Sequence, residues 1–134
     1  MKTENRPHVI IIGAGFAGLW AVKAFHNKNV RVTLIDKNNY HTFLPLLYQV
    51  GAAEIEPEEI AFPVRTIIRK YRNTGFLRAG VSEINLNGNY AVCNNDKIYY
   101  DYCILTTGTA VNYITSEWTA PVTSHSASSR LTAR

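Results

Sequence analysis

From the N-terminus, the chain sets an unbroken apolar run at 8–12, His8 followed by Val9 and three isoleucines, directly against a cluster of glycines. A short apolar run without polar alternation predicts a strand covered on both faces, as in the middle of a parallel sheet. A helix is predicted over roughly 15–27, a turn at Asn27-Lys28-Asn29, and a second apolar strand over 30–36. Two short strands joined by a helix make a β-α-β unit, which implies a doubly wound parallel α/β sheet. The stretch 37–56 is apolar and aromatic without strand alternation, and Pro45 suits the first position of a short helix. Its apolar side chains are expected to bury against the core or a cofactor. A further helix is predicted over 57–71, with Glu58 and Glu59 in its first turn and Arg69, Lys70 and Arg72 near its end, as the helix dipole prefers; Pro63 would kink it. Arg65, Arg69 and Arg72 would share one face, either a solvated surface or a contact with acidic lipid or nucleic acid. Residues 76–106 read as strands: an apolar run at 76–79, a small antiparallel meander turning at Asn87-Gly88 and at 94–96, and a buried parallel strand at 102–106 that ends in Thr107-Gly108. From about 115 the composition becomes rich in Ser and Thr with no period, and a disordered tail is expected at 115–134.

Composition narrows this picture. At 134 residues the chain has room for one domain, and a hydrophobic content of 46% is ample for a core. It has no run of about 18 apolar residues that would span a membrane. The first strand follows the N-terminus without a signal-peptide pattern, so a cytoplasmic location is expected. Cys93 and Cys103 have no metal-type spacing and are expected to be reduced and structural; no metal site is expected. The net charge of +4 slightly favours anionic partners such as nucleotides or lipid headgroups; nucleic acid is not expected as a partner.

The chemistry lies where the first strand ends. Gly13, Gly15 and Gly18 form a G-x-G-x-x-G turn between that strand and a helix, and Asp36 closes the second strand. This is the full context of a dinucleotide fingerprint. Gly13 makes the tight turn, Gly15 leaves room for a pyrophosphate, and Gly18 lets helix and strand pack closely. The start of the helix offers free N–H groups to phosphate. Asp36 suits the hydroxyls of an adenosine ribose and would repel a 2′-phosphate, as in NADP. The bland alternative is a glycine-rich turn with no ligand.

These residues sit in longer segments that resemble the N-terminal part of the type II NADH dehydrogenases, single-subunit flavoprotein NADH:quinone oxidoreductases. The segments are 9–20 (VIIIGAGFAGLW), 32–51 (VTLIDKNNYHTFLPLLYQVG) and 100–108 (YDYCILTTG). The middle one is the specific one, because many flavoproteins and dehydrogenases share the other two. The resemblance covers roughly 8–113 and implies a Rossmann-like FAD-binding domain over 1–114, incomplete, ahead of the tail. It implies that Gly13, Gly15, Phe16, Ala17 and Gly18 hold the FAD pyrophosphate and Asp36 the ribose, with Lys37 beside it. Val81 would offer backbone groups to the adenine, and Thr107 and Gly108 would lie near the pyrophosphate or ribityl chain. His41 and the segment 46–49, including Gln49, would sit nearer the flavin ring. Alternatively, His41 is only a capping or turn residue and Leu46 and Leu47 are plain core. No catalytic residue is assigned.

The resemblance implies NADH and quinone as partners of the full-length proteins, which bind the cytoplasmic membrane face peripherally through C-terminal parts. It also separates the chain from the disulfide reductases, whose C-x-x-x-x-C pair follows the second strand; residues 37–60 contain no cysteine. A second G-x-G-x-x-G for NADH, quinone-site residues and amphipathic membrane helices have no counterpart in these 134 residues. The expectation is therefore an N-terminal fragment, by truncation or frameshift, that is inactive by itself. The alternatives are a non-catalytic dinucleotide-binding module, half of a split flavoenzyme, or a different flavin enzyme such as a sulfide:quinone oxidoreductase, against which the cysteine-poor sequence weighs.

Overall fold

The computed structural model describes residues 6–109. The expected tail, and a domain boundary at 114, lie outside the described residues. In chain order the elements are strand β1 (His8–Ile12), helix α1 (Phe16–Ala24), β2 (Arg31–Asp36), β3 (Tyr40–Thr42), α2 (Leu47–Gly51), β4 (Ala61–Pro63), α3 (Val64–Ile68), β5 (Thr74–Arg78), β6 (Val81–Asn85), β7 (Tyr90–Cys93), β8 (Asp96–Tyr99) and β9 (Tyr102–Leu105). Four strands form a parallel sheet in the order β5-β2-β1-β9, as the doubly wound expectation requires. β6, β7 and β8 form the expected antiparallel meander, and β3 and β4 pair as a separate antiparallel ribbon.

The apolar run of β1 is explained by its position. Successive side chains of a strand point to opposite faces. Val9 and Ile11 join Val32, Leu34, Val22, Val64 and Ile68 in a core beneath α1 and α3. Ile10 and Ile12 join Ile35, Ala79, Ala91, Cys93 and Tyr100 in a second core beneath the meander. The sheet is thus the middle of three layers, and β1 has no solvent side. Burying each such isoleucine stabilises the fold by about 1.5–3 kcal/mol.

One polar group crosses this interior. His8 is buried at the start of β1; its backbone N–H donates to Asp101 (2.6 Å) and Asp101 returns the bond to the His8 carbonyl (2.8 Å). The imidazole lies 2.7 Å from the Tyr99 carbonyl through Nδ1 and 2.8 Å from the Thr33 hydroxyl through Nε2. A carbonyl only accepts, so Nδ1 carries the proton, and Nε2 accepts from Thr33 in the neutral ring. Burial, helped by the nearby Arg31 charge, lowers the pKa of His8; the Tyr99 carbonyl and Asp101 oppose it without reversing it.

Two expectations are corrected. Residues 57–71 do not form one helix. A 3-10 turn (Pro57–Ile60) leads into β4, and only Val64–Ile68 is α-helical. Pro63 is the reason: it cannot donate within a helix, and here it holds φ −58 and ψ 124 immediately before α3 while β4 pairs with β3. The arginine stripe dissolves with the helix. Arg65 lies in α3 with its guanidinium over the Phe76 ring, whereas Arg72 falls beyond it, before β5. Of the two alternatives for the apolar stretch 37–56, packing into the core is the one overturned: Leu44, Leu47 and Tyr48 are 61, 50 and 67% exposed. It contains the short strand β3 as well, while Pro45 is the second residue, rather than the first, of a 3-10 turn (Leu44–Leu46) that leads into α2. The two meander turns lie where the sequence puts them. The left-handed residue of the first is Asn89 rather than Gly88, and Asn94 and Asn95, both at positive φ, form the second.

Ile11 is fully buried, so Ile11→Ala is expected to destabilise the fold by about 2–5 kcal/mol, measured as a lower denaturant midpoint at unchanged slope. The depressed pKa of His8 sets the sign of a pH effect. As pH falls below about 6.5 the unfolded chain takes up a proton that the folded chain does not, so stability present at neutral pH is lost. Denaturation at about pH 7 and about pH 5 is expected to show this loss in the parent and a smaller one in His8→Gln; an equal loss in both would assign it to other groups.

Candidate functional site

The glycine turn is built by close approach of three backbone segments. Gly13 has φ +109, a conformation L side chains rarely adopt, and a Cβ there would collide with the Thr106 carbonyl. A Cβ on Gly18, in the first turn of α1, would collide with the Gly13 carbonyl and lie 2.9 Å from Thr106 Oγ1. The Thr106 hydroxyl donates to the carbonyls of Gly13 (2.9 Å) and Ile12 (3.0 Å), and its backbone N–H donates to Ile12 (2.8 Å). Strand end, helix start and the residue after β9 are therefore locked together.

Gly15 is different. Its φ of −72 and ψ of −170 suit any residue, and a Cβ there would meet no protein atom within 4 Å. No internal contact requires a glycine at this position, and its missing side chain leaves clear space at the head of α1. Gly15 is the N-cap and makes no side-chain cap, and no acid lies in the first turn. The unpaired N–H groups of that turn are the elements of an anion site.

Beside this turn, at the carboxyl ends of the strands, lies a cavity of about 460 Å³. It brings together five of the residues singled out in the sequence: Gly13, Asp36, Lys37, Val81 and Thr107. Ile12 and Ile35 form its apolar floor, and the stretch 79–84 its far wall. The pairing of β6 with β7 slips between Val81 and Glu83, so a bulge lies in this wall. Bulges of this kind re-aim backbone and side chains near sites.

Asp36 is held in place before any ligand arrives. Its Oδ2 accepts from the Ala14 N–H (2.6 Å) and its Oδ1 from the Asn38 N–H (2.8 Å). Each carboxylate oxygen retains capacity for a second bond.

His41 and Gln49 do not line the cavity. His41 is buried in β3, donates from Nδ1 to the Ala14 carbonyl (3.0 Å), and meets the Phe16 ring edge-on at 4.9 Å; Phe43 meets Phe16 at 5.4 Å. Ala14 thus donates to Asp36 on one side and accepts from His41 on the other. Phe16 and Ala17 lie exposed in the first turn of α1. Gln49 is half-buried in α2, and Gly108 follows the cavity residue Thr107 at φ +71. The sequence reading missed Thr106, whose signal is a hydroxyl closing an apolar strand. It also missed the wall residues other than Val81.

Neither cysteine serves the site. Cys93 is buried in β7 and Cys103 is half-buried in β9, both against the meander core. Burial pushes both thiols up in pKa, which keeps them protonated and unreactive. Among the described residues no cluster of His, Cys, Asp and Glu forms a metal site, and no helix is long and apolar enough to cross a membrane.

Parallel sheet, glycine turn and acid-lined cavity define a dinucleotide-binding α/β protein. The chain belongs to the pyridine nucleotide-disulphide oxidoreductase family, which matches residues 7–125. Over 116 residues it is 37% identical to the type II NADH:quinone oxidoreductase Ndh of Mycobacterium tuberculosis, covering 84% of this chain and 25% of that protein. Over 106 residues it is 31% identical to the type II NADH:quinone oxidoreductase of Staphylococcus aureus, covering 76% of this chain and 26% of that one. The chain thus spans about a quarter of the length of these relatives. Its fold is similar to NDH2 from Plasmodium falciparum in complex with NADH (TM-score 0.72, 27% identity, 81% of this chain and 23% of that one). It is also similar to the sulfide:quinone oxidoreductase of Aquifex aeolicus (TM-score 0.70, 26% identity, 80% of this chain and 25% of that one).

The glycines are expected to separate by role. Gly18→Ala forces Cβ into backbone and is expected to cost about 1–3 kcal/mol of stability. Gly15→Val is expected to cost no more than about 1 kcal/mol while abolishing nucleotide binding. Thermal melting alongside FAD titration checks both; a Gly15→Val variant that holds FAD as well as the parent would remove the phosphate assignment.

Proposed function

We propose that this chain is the FAD-binding part of an oxidoreductase that takes a hydride from NADH and passes electrons to a quinone. The observation that carries it is the clear space at Gly15, whose sequence neighbours are Ala14, bonded to Asp36 of the cavity, and Phe16, whose ring meets His41. An extended dinucleotide crossing the end of the sheet would meet these three places in order.

In this reading Val81 and the bulged wall take the adenine, and Asp36, with Lys37 beside it, takes the ribose. Gly13, Gly15, Phe16, Ala17 and Gly18 take the pyrophosphate on the head of α1. Thr107 and Gly108 border the pyrophosphate and ribityl chain, and His41 and Gln49 lie toward the flavin end. When bound, FAD supplies a ring that accepts a hydride, and the protein's work is to hold and orient it. Phe16, Leu44, Leu47 and Tyr48 are left exposed by the fold, and in this reading their apolar surface is available to the ring. The quinone acceptor rests on the sequence relatives, and the reading carries a location, the cytoplasmic face of a membrane, because such an acceptor dissolves in lipid.

The similarity in fold to a sulfide:quinone oxidoreductase favours no thiol chemistry here, since both cysteines are packed in the meander core and neither lines the cavity. These 134 residues contain one glycine fingerprint and span about a quarter of the length of the relatives, and a second nucleotide fold takes on the order of a hundred residues of its own.

The 134-residue polypeptide is expected to bind FAD more tightly than NADPH, because Asp36 repels a 2′-phosphate, and to show flavin absorption when purified with FAD. It is expected to show no NADH:quinone turnover. Positioning two reactants is worth about 7–11 kcal/mol in favourable cases, and the gain is lost when only one of them is held. NADH oxidation with a soluble quinone decides the second point: turnover of about 10 per second, an ordinary enzyme rate, would refute it, and tighter binding of NADPH than of FAD would refute the first.

A further inference from the structure

The opposite end of the parallel sheet, where the strands begin, carries a second recess unrelated to the glycine turn. A cleft of about 650 Å³ lies between the starts of β2 and β5, and a smaller one of about 330 Å³ adjoins it; both are lined by Arg6, Arg72 and Asn73. Arg31 lines the larger cleft and Lys28 the smaller. Four of the chain's 14 Lys and Arg residues therefore border this one recess, and among the described residues no Asp or Glu lines either cleft. A solvated face would normally intersperse the two signs.

The recess is also built. The Asn73 side chain donates to the carbonyls of Phe25 (2.8 Å) and Lys28 (3.3 Å), tying the turn that bears Lys28 to the start of β5. The Arg31 N–H is committed to the Pro7 carbonyl (2.9 Å) and the Val32 N–H to the Asn73 carbonyl (2.8 Å). The floor thus has these backbone donors already satisfied, and the charge facing the recess is carried by side chains. Gly75 lies in the floor, where a Cβ would meet nothing within 4 Å.

The geometry points to a second anion site at this end of the sheet, which binds a phosphate group through Arg31 and Arg72, with Lys28 at its edge. Guanidinium groups pair with phosphate oxygens two bonds at a time, and among the described residues no carboxylate lines the recess beside Arg31 and Arg72. A volume of about 650 Å³ admits a phosphorylated small molecule or the headgroup of an anionic phospholipid. Both present the same chemistry.

The test uses the full chain with saturating FAD, so that the glycine turn cannot account for phosphate binding. Inorganic pyrophosphate is titrated calorimetrically, and vesicles of phosphatidylglycerol are compared with phosphatidylcholine by co-sedimentation. The variants are the double substitution Arg31→Gln with Arg72→Gln, and Gly75→Val, which fills the floor with a residue suited to a strand. Saturable pyrophosphate binding, weakened about tenfold or more in both variants at unchanged melting temperature and FAD retention, supports a soluble phosphate ligand. Retention on phosphatidylglycerol vesicles alone, lost in the double variant, supports the headgroup. The site is refuted if neither probe binds or if the variants bind as the parent does. Capture of an RNA oligonucleotide without pyrophosphate or vesicle binding would refute it in favour of a nucleic-acid surface.

Discussion

The structure depends on the contact among Gly13, Gly18 and Thr106. Three backbone segments meet there at distances that no Cβ permits, and one threonine hydroxyl bridges two carbonyls across the junction. This contact sets how close α1 lies to the end of β1, and so where the first-turn N–H groups sit. It also joins the last strand of the sheet to the first. Gly15, two residues from Gly13, lies under no such constraint, and the contrast within one motif separates the glycines that the fold requires from one that it does not.

Around that junction, polar groups act as latches. Ala14 is held on its N–H by Asp36 and on its carbonyl by His41, so a residue with no reactive side chain becomes the hinge point between the cavity and the β3–β4 ribbon. His41 is thus a positioning residue for the glycine turn whatever else it meets. The same arrangement explains why the apolar stretch 37–56 stays on the surface. It is anchored through His41 and Phe43, and its remaining apolar side chains face away from the two cores.

Much of this was legible in the sequence where the determinants are local. The apolar run at 8–12, the glycine spacing and the acid at 36 lie within thirty residues of one another, and the element they build is compact. The meander was legible for a similar reason, since turn residues such as Asn94 and Asn95 announce it. What escaped depends on distant partners. Residues 57–71 have acids first and bases last, like a helix, but Pro63 and the pairing with β3 override that pattern. The wall at 79–84 became part of the cavity only because the meander packs beneath the sheet, and nothing local in those residues reports it. Thr106 was passed over beside Thr107 and Gly108, since which hydroxyl faces the turn depends on the register of β9 against β1.

That register has a consequence for how the chain acquires its structure in time. The hydroxyl that secures Gly13 is 93 residues downstream of it, and the Asp101 carboxylate that anchors the first strand is 93 residues downstream of His8. On a ribosome the glycine turn emerges early, but its lock is absent until nearly the whole described chain has been made. Closing so long a loop is an entropic cost that only the completed sheet offsets, so the fold is dominated by late, non-local contacts rather than by the β-α-β unit that starts it. During that interval the β1 edge destined for β9 is unpaired, and an unpaired apolar edge is open to pairing with other chains. The β1 edge is therefore vulnerable during synthesis, until β9 closes on it.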